Sequence, residues 1–97
     1  MTADAGGIRV LVVDDDPAIR EALSRTLGKL GFAVALAEDG QAGVEQIRAG
    51  GIHIVLADLK MPRMSGQELL KATKALAPDT EVIVITGHGT IEDAVEA

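Results

Sequence analysis

The sequence contains no cysteine, tryptophan or tyrosine, and Phe32 is its only aromatic residue. Without cysteine the chain forms no disulfide bond and offers no thiolate ligand for zinc. Hydrophobic residues nevertheless make up 47% of the chain, so the core must be built from Val, Ile, Leu and Ala. A chain of 97 residues is long enough for one small domain. We expect a single domain over residues 1–97, with residues 1–7 disordered.

Basic residues are scarce: the chain has nine Lys and Arg but 15 Asp and Glu, which gives a net charge of −6. An acidic surface repels phosphate backbones and anionic membranes, so direct binding to nucleic acid or to a membrane is not expected. The N-terminal segment MTADAGGIRV has neither a basic leader nor a long apolar run. These absences favour a cytoplasmic protein.

Four apolar runs alternate with helix-like segments along the chain, which is the pattern of a parallel sheet in an α/β fold. The second run has smaller apolar side chains than the others because it contains Ala35 and Ala37, as expected of an edge strand. Right-handed crossovers then favour the strand order 2-1-3-4 in a doubly wound sheet. The predicted strands are Ile8–Val13, Phe32–Ala37, Ile52–Ala57 and Glu81–Thr86.

Capping residues mark the ends of the predicted helices. Asp16 as N-cap and Pro17 at the first helical position predict the start of the first helix, and Gly31 predicts its end. Ser65 and Glu68 have the spacing of a capping box at the start of the third helix. In the first helix, apolar residues recur every three or four positions, which is the spacing of an amphipathic helix: Ile19, Leu23, Leu27 and Leu30.

Acidic residues follow two of the predicted strands. Asp14, Asp15 and Asp16 come directly after the first strand, and Asp58 comes directly after the third. Taken alone, an acidic triplet at a helix start is more often a cap, and a lone aspartate after a strand more often forms a turn. In the order 2-1-3-4, however, these strands are neighbours, and ligands bind at their carboxyl ends. We therefore predict a divalent cation site at Asp14, Asp15 and Asp58, of a kind that suits Mg²⁺.

Three segments resemble the signature blocks of the receiver domain of two-component response regulators: VLVVDDDPAIR, IVLADLKMPRMSG and VIVITGHGT. They occur in the family's order and at appropriate spacing, and the resemblance extends over residues 8–97. It implies a flavodoxin-like fold and a signalling module that is phosphorylated by a sensor histidine kinase rather than a turnover enzyme. The segment from Gly87 to Ala97 is most similar to receivers of enhancer-binding transcription activators of the nitrogen-regulation type.

The resemblance also implies a role for each acid of the predicted site. By its position in the second block, Asp58 resembles the phosphoacceptor. Asp15 would be a direct ligand of Mg²⁺, and Asp14 would act largely through bound water. The backbone carbonyl of Lys60 would complete the ligands that the protein provides, which leaves Asp16 with its capping role alone.

Two residues of the third block are implicated in contacts with the phosphoryl group. Thr86 resembles the family's switch residue, whose hydroxyl contacts the phosphoryl oxygens. The backbone amide of Gly87 would lie beside it.

The chain ends before the family's fifth strand and the helix that follows it, so the resemblance implies a truncated receiver domain without the family's conserved lysine. The fourth strand would then have an uncovered apolar edge, which predicts a homodimer or a higher assembly. Two alternatives stay open. One is a binding-only fragment that assembles but no longer signals. The other is an aspartate-nucleophile phosphatase, which is disfavoured because Asp58-Leu59-Lys60 provides no second acid.

Overall fold

The computed structural model describes residues 7–59, 61 and 64–85. Within them, strands and helices alternate, and four parallel strands form one sheet in the order β2-β1-β3-β4. The predicted α/β class and strand order are confirmed. The elements are β1 (Arg9–Val13), α1 (Pro17–Lys29), β2 (Ala33–Ala37), α2 (Gly40–Ala49), β3 (Ile54–Asp58), α3 (Gly66–Leu76) and β4 (Glu81–Ile85).

The strand boundaries differ from the predicted ones by two residues at most. Asp58 is the last residue of β3 rather than the first residue after it. The predicted end of the fourth strand, Thr86, lies outside the described residues, and so does the predicted disordered segment except for Gly7.

The predicted caps hold α1 and α3 in place. Asp16 Oδ1 accepts a 2.9 Å hydrogen bond from the amide of Ala18 at the start of α1. Gly31 has a φ of 96°, a left-handed conformation that glycine adopts without strain, and it follows the end of α1. At α3, Ser65 and Glu68 form the predicted capping box, in which each side chain accepts a hydrogen bond from the other residue's amide.

The aliphatic core lies between the sheet and helices α2 and α3, which also pack against each other. The connection β1–α1–β2 runs toward one edge of the sheet, and β2–α2–β3 runs back past β1. Right-handed crossovers therefore place α1 on the opposite face from α2. The buried core residues include Leu11, Val13, Ala37, Ile47, Val55, Ala57 and Leu69.

The face of the sheet that carries α1 is less well covered. No residue of α1 is fully buried: Leu23 and Leu27 are half-buried, and Ile19 and Leu30 are 39% and 58% exposed. Among the described elements, α1 packs mainly on β2 and β1, and on the same face of the sheet Ile83 and Ile85 of β4 are 50% and 41% exposed. In the described part of the chain, β4 is an edge strand.

Candidate metal centre

The carboxyl ends of β1 and β3 bring three acidic side chains together. Val13 and Ala57 are partners in the parallel register of these strands, so the residues that follow them, Asp14 and Asp58, lie at the same edge of the sheet. Carboxylate oxygens of Asp14, Asp15 and Asp58 all lie within 4.8 Å of one another. The structure thus assembles the three acids that the sequence suggested as a cation site.

Asp14 is the most tightly held of the three acids. Asp14 is 7% exposed, and its amide donates a 3.2 Å hydrogen bond to the carbonyl of Ala37 on β2. Its Oδ1 accepts a 2.9 Å hydrogen bond from the amide of Asp16. Its own carbonyl accepts a 2.7 Å hydrogen bond from Nη1 of Arg20. These contacts fix both the main chain and the carboxylate of Asp14.

Electrostatics at this site disfavour the ionised form of Asp14. Burial raises the pKa of the Asp14 carboxyl above its usual value, and the neighbouring charges of Asp58, Asp15 and Asp16 raise it further. The hydrogen bond from the Asp16 amide lowers the same pKa and opposes these effects only in part. A divalent cation would remove the cost of holding several carboxylates so close together.

The donor set fits Mg²⁺ better than it fits a softer metal. All three groups are carboxylates, and hard cations such as Mg²⁺ prefer oxygen ligands. Asp14 is buried, Asp58 is partly buried and Asp15 is exposed. An open side of this kind suits Mg²⁺ because the ion usually keeps several water ligands.

The end of β3 is tied to two neighbouring elements. The amide of Leu59 donates a 2.8 Å hydrogen bond to the carbonyl of Ile85 at the end of β4. The carbonyl of Leu59 accepts a 3.0 Å hydrogen bond from the amide of Gly66, the first residue of α3. The main chain directly after Asp58 is therefore held from both sides.

Three of the residues predicted for the site, Lys60, Thr86 and Gly87, lie outside the described residues. Conversely, sequence reasoning missed two residues that bind the main chain at the site: Arg20, which donates to the carbonyl of Asp14, and Gly66, which donates to the carbonyl of Leu59 next to Asp58. Arg20 follows the N-cap Asp16 by four positions, and this spacing places both residues on the same side of a helix. The only signal for Gly66 was a glycine at the start of a helix, where many other residues are better helix formers.

A family model for the response regulator receiver domain matches residues 10–97 of this chain. The chain belongs to this family. The receiver is 39% identical to the transcriptional regulatory protein FixJ of Bradyrhizobium diazoefficiens over 88 residues, which cover 91% of this chain and 43% of that protein. It is 41% identical to the transcriptional regulatory protein ZraR of Escherichia coli over 97 residues, which cover 100% of this chain and 22% of that protein.

Solved structures share the receiver's fold. A CheY-like response regulator receiver domain protein from Methanospirillum hungatei superposes on the receiver with a TM-score of 0.82 at 34% identity. The matched region covers 92% of this chain and 71% of the Methanospirillum chain. The chemotaxis protein CheY4 of Vibrio cholerae gives a TM-score of 0.80 at 29% identity, and the matched region covers 93% of this chain and 77% of the CheY4 chain. The predicted flavodoxin-like fold is thereby confirmed.

The receiver spans less than half the length of the curated relatives that it matches. The names of FixJ, ZraR and GlrR describe transcriptional regulatory proteins, which agrees with the resemblance to transcription activators. In the described residues, no helix combines the length and the apolar character needed to cross a membrane.

Proposed function

We propose that this receiver accepts a phosphoryl group on Asp58 from a phosphohistidine of a sensor histidine kinase, with Mg²⁺ as cofactor. The observation that supports the proposal is the cluster of Asp14, Asp15 and Asp58, whose carboxylate oxygens lie within 4.8 Å of one another. Asp14 and Asp15 follow β1 and Asp58 ends β3, so two adjacent strands provide the metal ligands and the nucleophile.

In this reaction, a carboxylate oxygen of Asp58 attacks phosphorus in line with the phosphohistidine. The new O–P bond forms an acyl phosphate, and the P–N bond breaks to leave the imidazole on the kinase. A bound Mg²⁺ would neutralise charge on the carboxylates and on the phosphoryl oxygens. The contribution of the receiver is mainly to hold Asp58 in position and to provide the neighbouring carboxylates that would hold the cation.

The remaining predicted roles come from the family resemblance. Asp15 would bind Mg²⁺ directly and Asp14 largely through water, and the backbone carbonyl of Lys60 would be a further ligand. The hydroxyl of Thr86 and the amide of Gly87 would contact the phosphoryl group. Ile85, whose carbonyl accepts a hydrogen bond from the amide of Leu59, is the residue before Thr86 in the sequence.

We also propose that the receiver is a cytoplasmic signalling module and not a turnover enzyme. A phosphatase that uses an aspartate nucleophile usually has a second acid two residues further along the same strand, and the residue at that position here is Lys60. Self-association through the edge of β4 is a second part of the proposal, supported by the exposed side chains of Ile83 and Ile85. It holds equally for a fragment that assembles without being phosphorylated.

Intact-mass spectrometry after incubation with Mg²⁺ and a small phosphodonor such as acetyl phosphate tests the phosphoacceptor. We expect one added phosphoryl group, which is lost when Mg²⁺ is chelated and when Asp58→Asn replaces the nucleophile. Asp79→Asn is the matched control, because Asp79 is an exposed aspartate in the turn between α3 and β4. Equal phosphorylation of Asp58→Asn and the parent would show that another residue is the acceptor.

A further inference from the structure

The first residue of α3, Gly66, lies directly against the main chain of the proposed phosphoacceptor. A β-carbon at Gly66 would lie 2.7 Å from the carbonyl oxygen of Asp58, 3.1 Å from the Cα of Leu59 and 3.0 Å from Cγ1 of Val84. Two of these three atoms belong to the main chain, which cannot rotate away as a side chain can. A side chain at this position therefore requires α3 or the end of β3 to move.

The conformation of Gly66 does not itself require glycine. The described glycines with a positive φ are others: Gly7, Gly31, Gly50 and Gly51. Gly66 is a regular helical residue that follows the N-cap Ser65, and alanine is a better helix former than glycine at such a position. Space beside Asp58, rather than backbone freedom, is what glycine provides here.

Displacement at this contact would be transmitted to the acidic cluster. The Gly66 amide donates to the carbonyl of Leu59, and the Leu59 amide donates to the carbonyl of Ile85. Because these bonds hold the main chain after Asp58 between α3 and β4, a shift of α3 pulls on the residue that ends β3. The distances from Asp58 to Asp14 and Asp15 change as a result.

We propose that Gly66 is a positioning residue for Asp58. The lack of a side chain at Gly66 lets the start of α3 seat against the Asp58 carbonyl and so keeps the Asp58 carboxylate within the acidic cluster. This inference rests on the proposed function, because the geometry that it protects is that of Mg²⁺ binding and phosphoryl transfer.

The test compares Gly66→Ala with Gly28→Ala. Gly28 lies in α1, and a β-carbon there would meet no atom within 4 Å, so this control adds the same methyl group in open space. We expect Gly66→Ala to weaken Mg²⁺ binding, measured by calorimetry, by about 10- to 100-fold, as substitutions behind metal ligands do. Phosphorylation by acetyl phosphate should slow as well, and Gly28→Ala should change neither. Binding and phosphorylation of Gly66→Ala at the parental level would overturn the inference.

The double variant Gly66→Ala/Val84→Ala separates the main-chain obstacle from the side-chain obstacle. Val84→Ala removes Cγ1 of Val84, the side-chain atom among the three nearest to a β-carbon at Gly66. Val84→Ala alone is the reference for the double variant. If the Asp58 carbonyl is the obstacle, adding Gly66→Ala to Val84→Ala weakens Mg²⁺ binding by the same factor as Gly66→Ala does in the parent. Recovery of Mg²⁺ binding in the double variant would show that Gly66 makes room for Val84 and not for Asp58, and would overturn the inference.

A stabilised background and a direct probe of the Asp58 side chain distinguish a positioning role of Gly66 from a general loss of folding. If Gly66→Ala does not fold, it is repeated in the Gly28→Ala background, where the better helix former stabilises α1; failure to fold there too would overturn a role limited to positioning Asp58. The carboxyl ¹³C chemical shift of Asp58 reports the position of the side chain without Mg²⁺ or phosphate. An unchanged shift in Gly66→Ala overturns the inference, whereas a parent that takes no phosphate overturns only the proposed function.

Discussion

The guanidinium of Arg20 donates a 2.7 Å hydrogen bond from Nη1 to the main-chain carbonyl of Asp14. This contact joins the first turns of α1 to the end of β1 and closes the turn that carries the acidic residues. Arg20 therefore stabilises the main chain at the residue where the acidic segment begins.

Replacing Arg20 should accordingly destabilise the metal-free receiver. We expect Arg20→Gln to lower the free energy of unfolding by about 1.5 kcal/mol, the usual contribution of a hydrogen bond from a charged group. Urea denaturation without Mg²⁺ measures this value. Arg25→Gln is the matched control, because Arg25 pairs with Glu21 on the open surface of the same helix, with side chains 64% and 74% exposed. A loss for Arg25→Gln as large as that for Arg20→Gln would contradict the role given to Arg20.

The pKa of Asp14 leads to a pH dependence with a defined sign. Because burial and the neighbouring acids raise this pKa in the folded state, the folded receiver holds the Asp14 proton more tightly than the unfolded chain does. Stability from this group is complete below the ordinary pKa and is lost as the pH rises through the raised one. Near neutral pH, the ionised Asp14 therefore destabilises the metal-free fold.

Asp14→Asn should consequently stabilise the metal-free receiver near neutral pH. The gain comes first from no longer burying a charge and then from the lost repulsion by Asp58, Asp15 and Asp16; it should be about 1 kcal/mol and should vanish below the ordinary pKa of aspartate. Asparagine still provides an Oδ1 for the Asp16 amide. Mg²⁺ should reverse the order, because the parent gains stability from binding the cation and Asp14→Asn gains less. Thermal denaturation with and without Mg²⁺ measures both effects, and a variant that is destabilised without metal would contradict them.

The sequence predicted those features that depend on strand order and register. Asp14 and Asp58 were expected to meet because two apolar runs end on acids and right-handed crossovers make these runs neighbours. Arg20 and Gly66 were not found, because their partners are main-chain atoms whose positions depend on the paths of the turns rather than on residue type. Periodicity showed which side of α1 is apolar, but it could not show whether that side is covered. The exposure of Leu30 illustrates the difference.

The capping box of α3 provides a test of how the start of this helix contributes to stability. Ser65→Ala removes the hydroxyl that accepts a 3.1 Å hydrogen bond from the Glu68 amide, and it should cost about 1 kcal/mol in the free energy of unfolding. Glu68→Gln retains an oxygen that accepts from the Ser65 amide, so it should have a much smaller effect. Urea denaturation of both variants gives the comparison. Equal losses would show that the charge of Glu68 contributes as much as the hydroxyl of Ser65, which contradicts this expectation.

The outer edge of β4 should make the receiver associate with itself. Its neighbour on one side is β3, and on the other side no described strand pairs with it. Exposed main-chain groups flanked by Ile83 and Ile85 form a surface on which another chain can add a strand. The net charge of −6 opposes this association, so added salt should strengthen it by screening the repulsion between copies.

Sedimentation at a series of protein concentrations tests this edge. We expect the average mass of the parent to rise with concentration and Ile83→Lys to remain a monomer, because a lysine on an edge strand prevents strand addition. Leu76→Lys is the matched control: Leu76 is 42% exposed but ends the helix α3 rather than lying on a strand. A parent that stays monomeric at micromolar concentration, or a Leu76→Lys variant that dissociates as fully as Ile83→Lys, would rule out β4 as the contact. Loss of association at high salt would show that ion pairs, rather than apolar strand edges, hold the copies together.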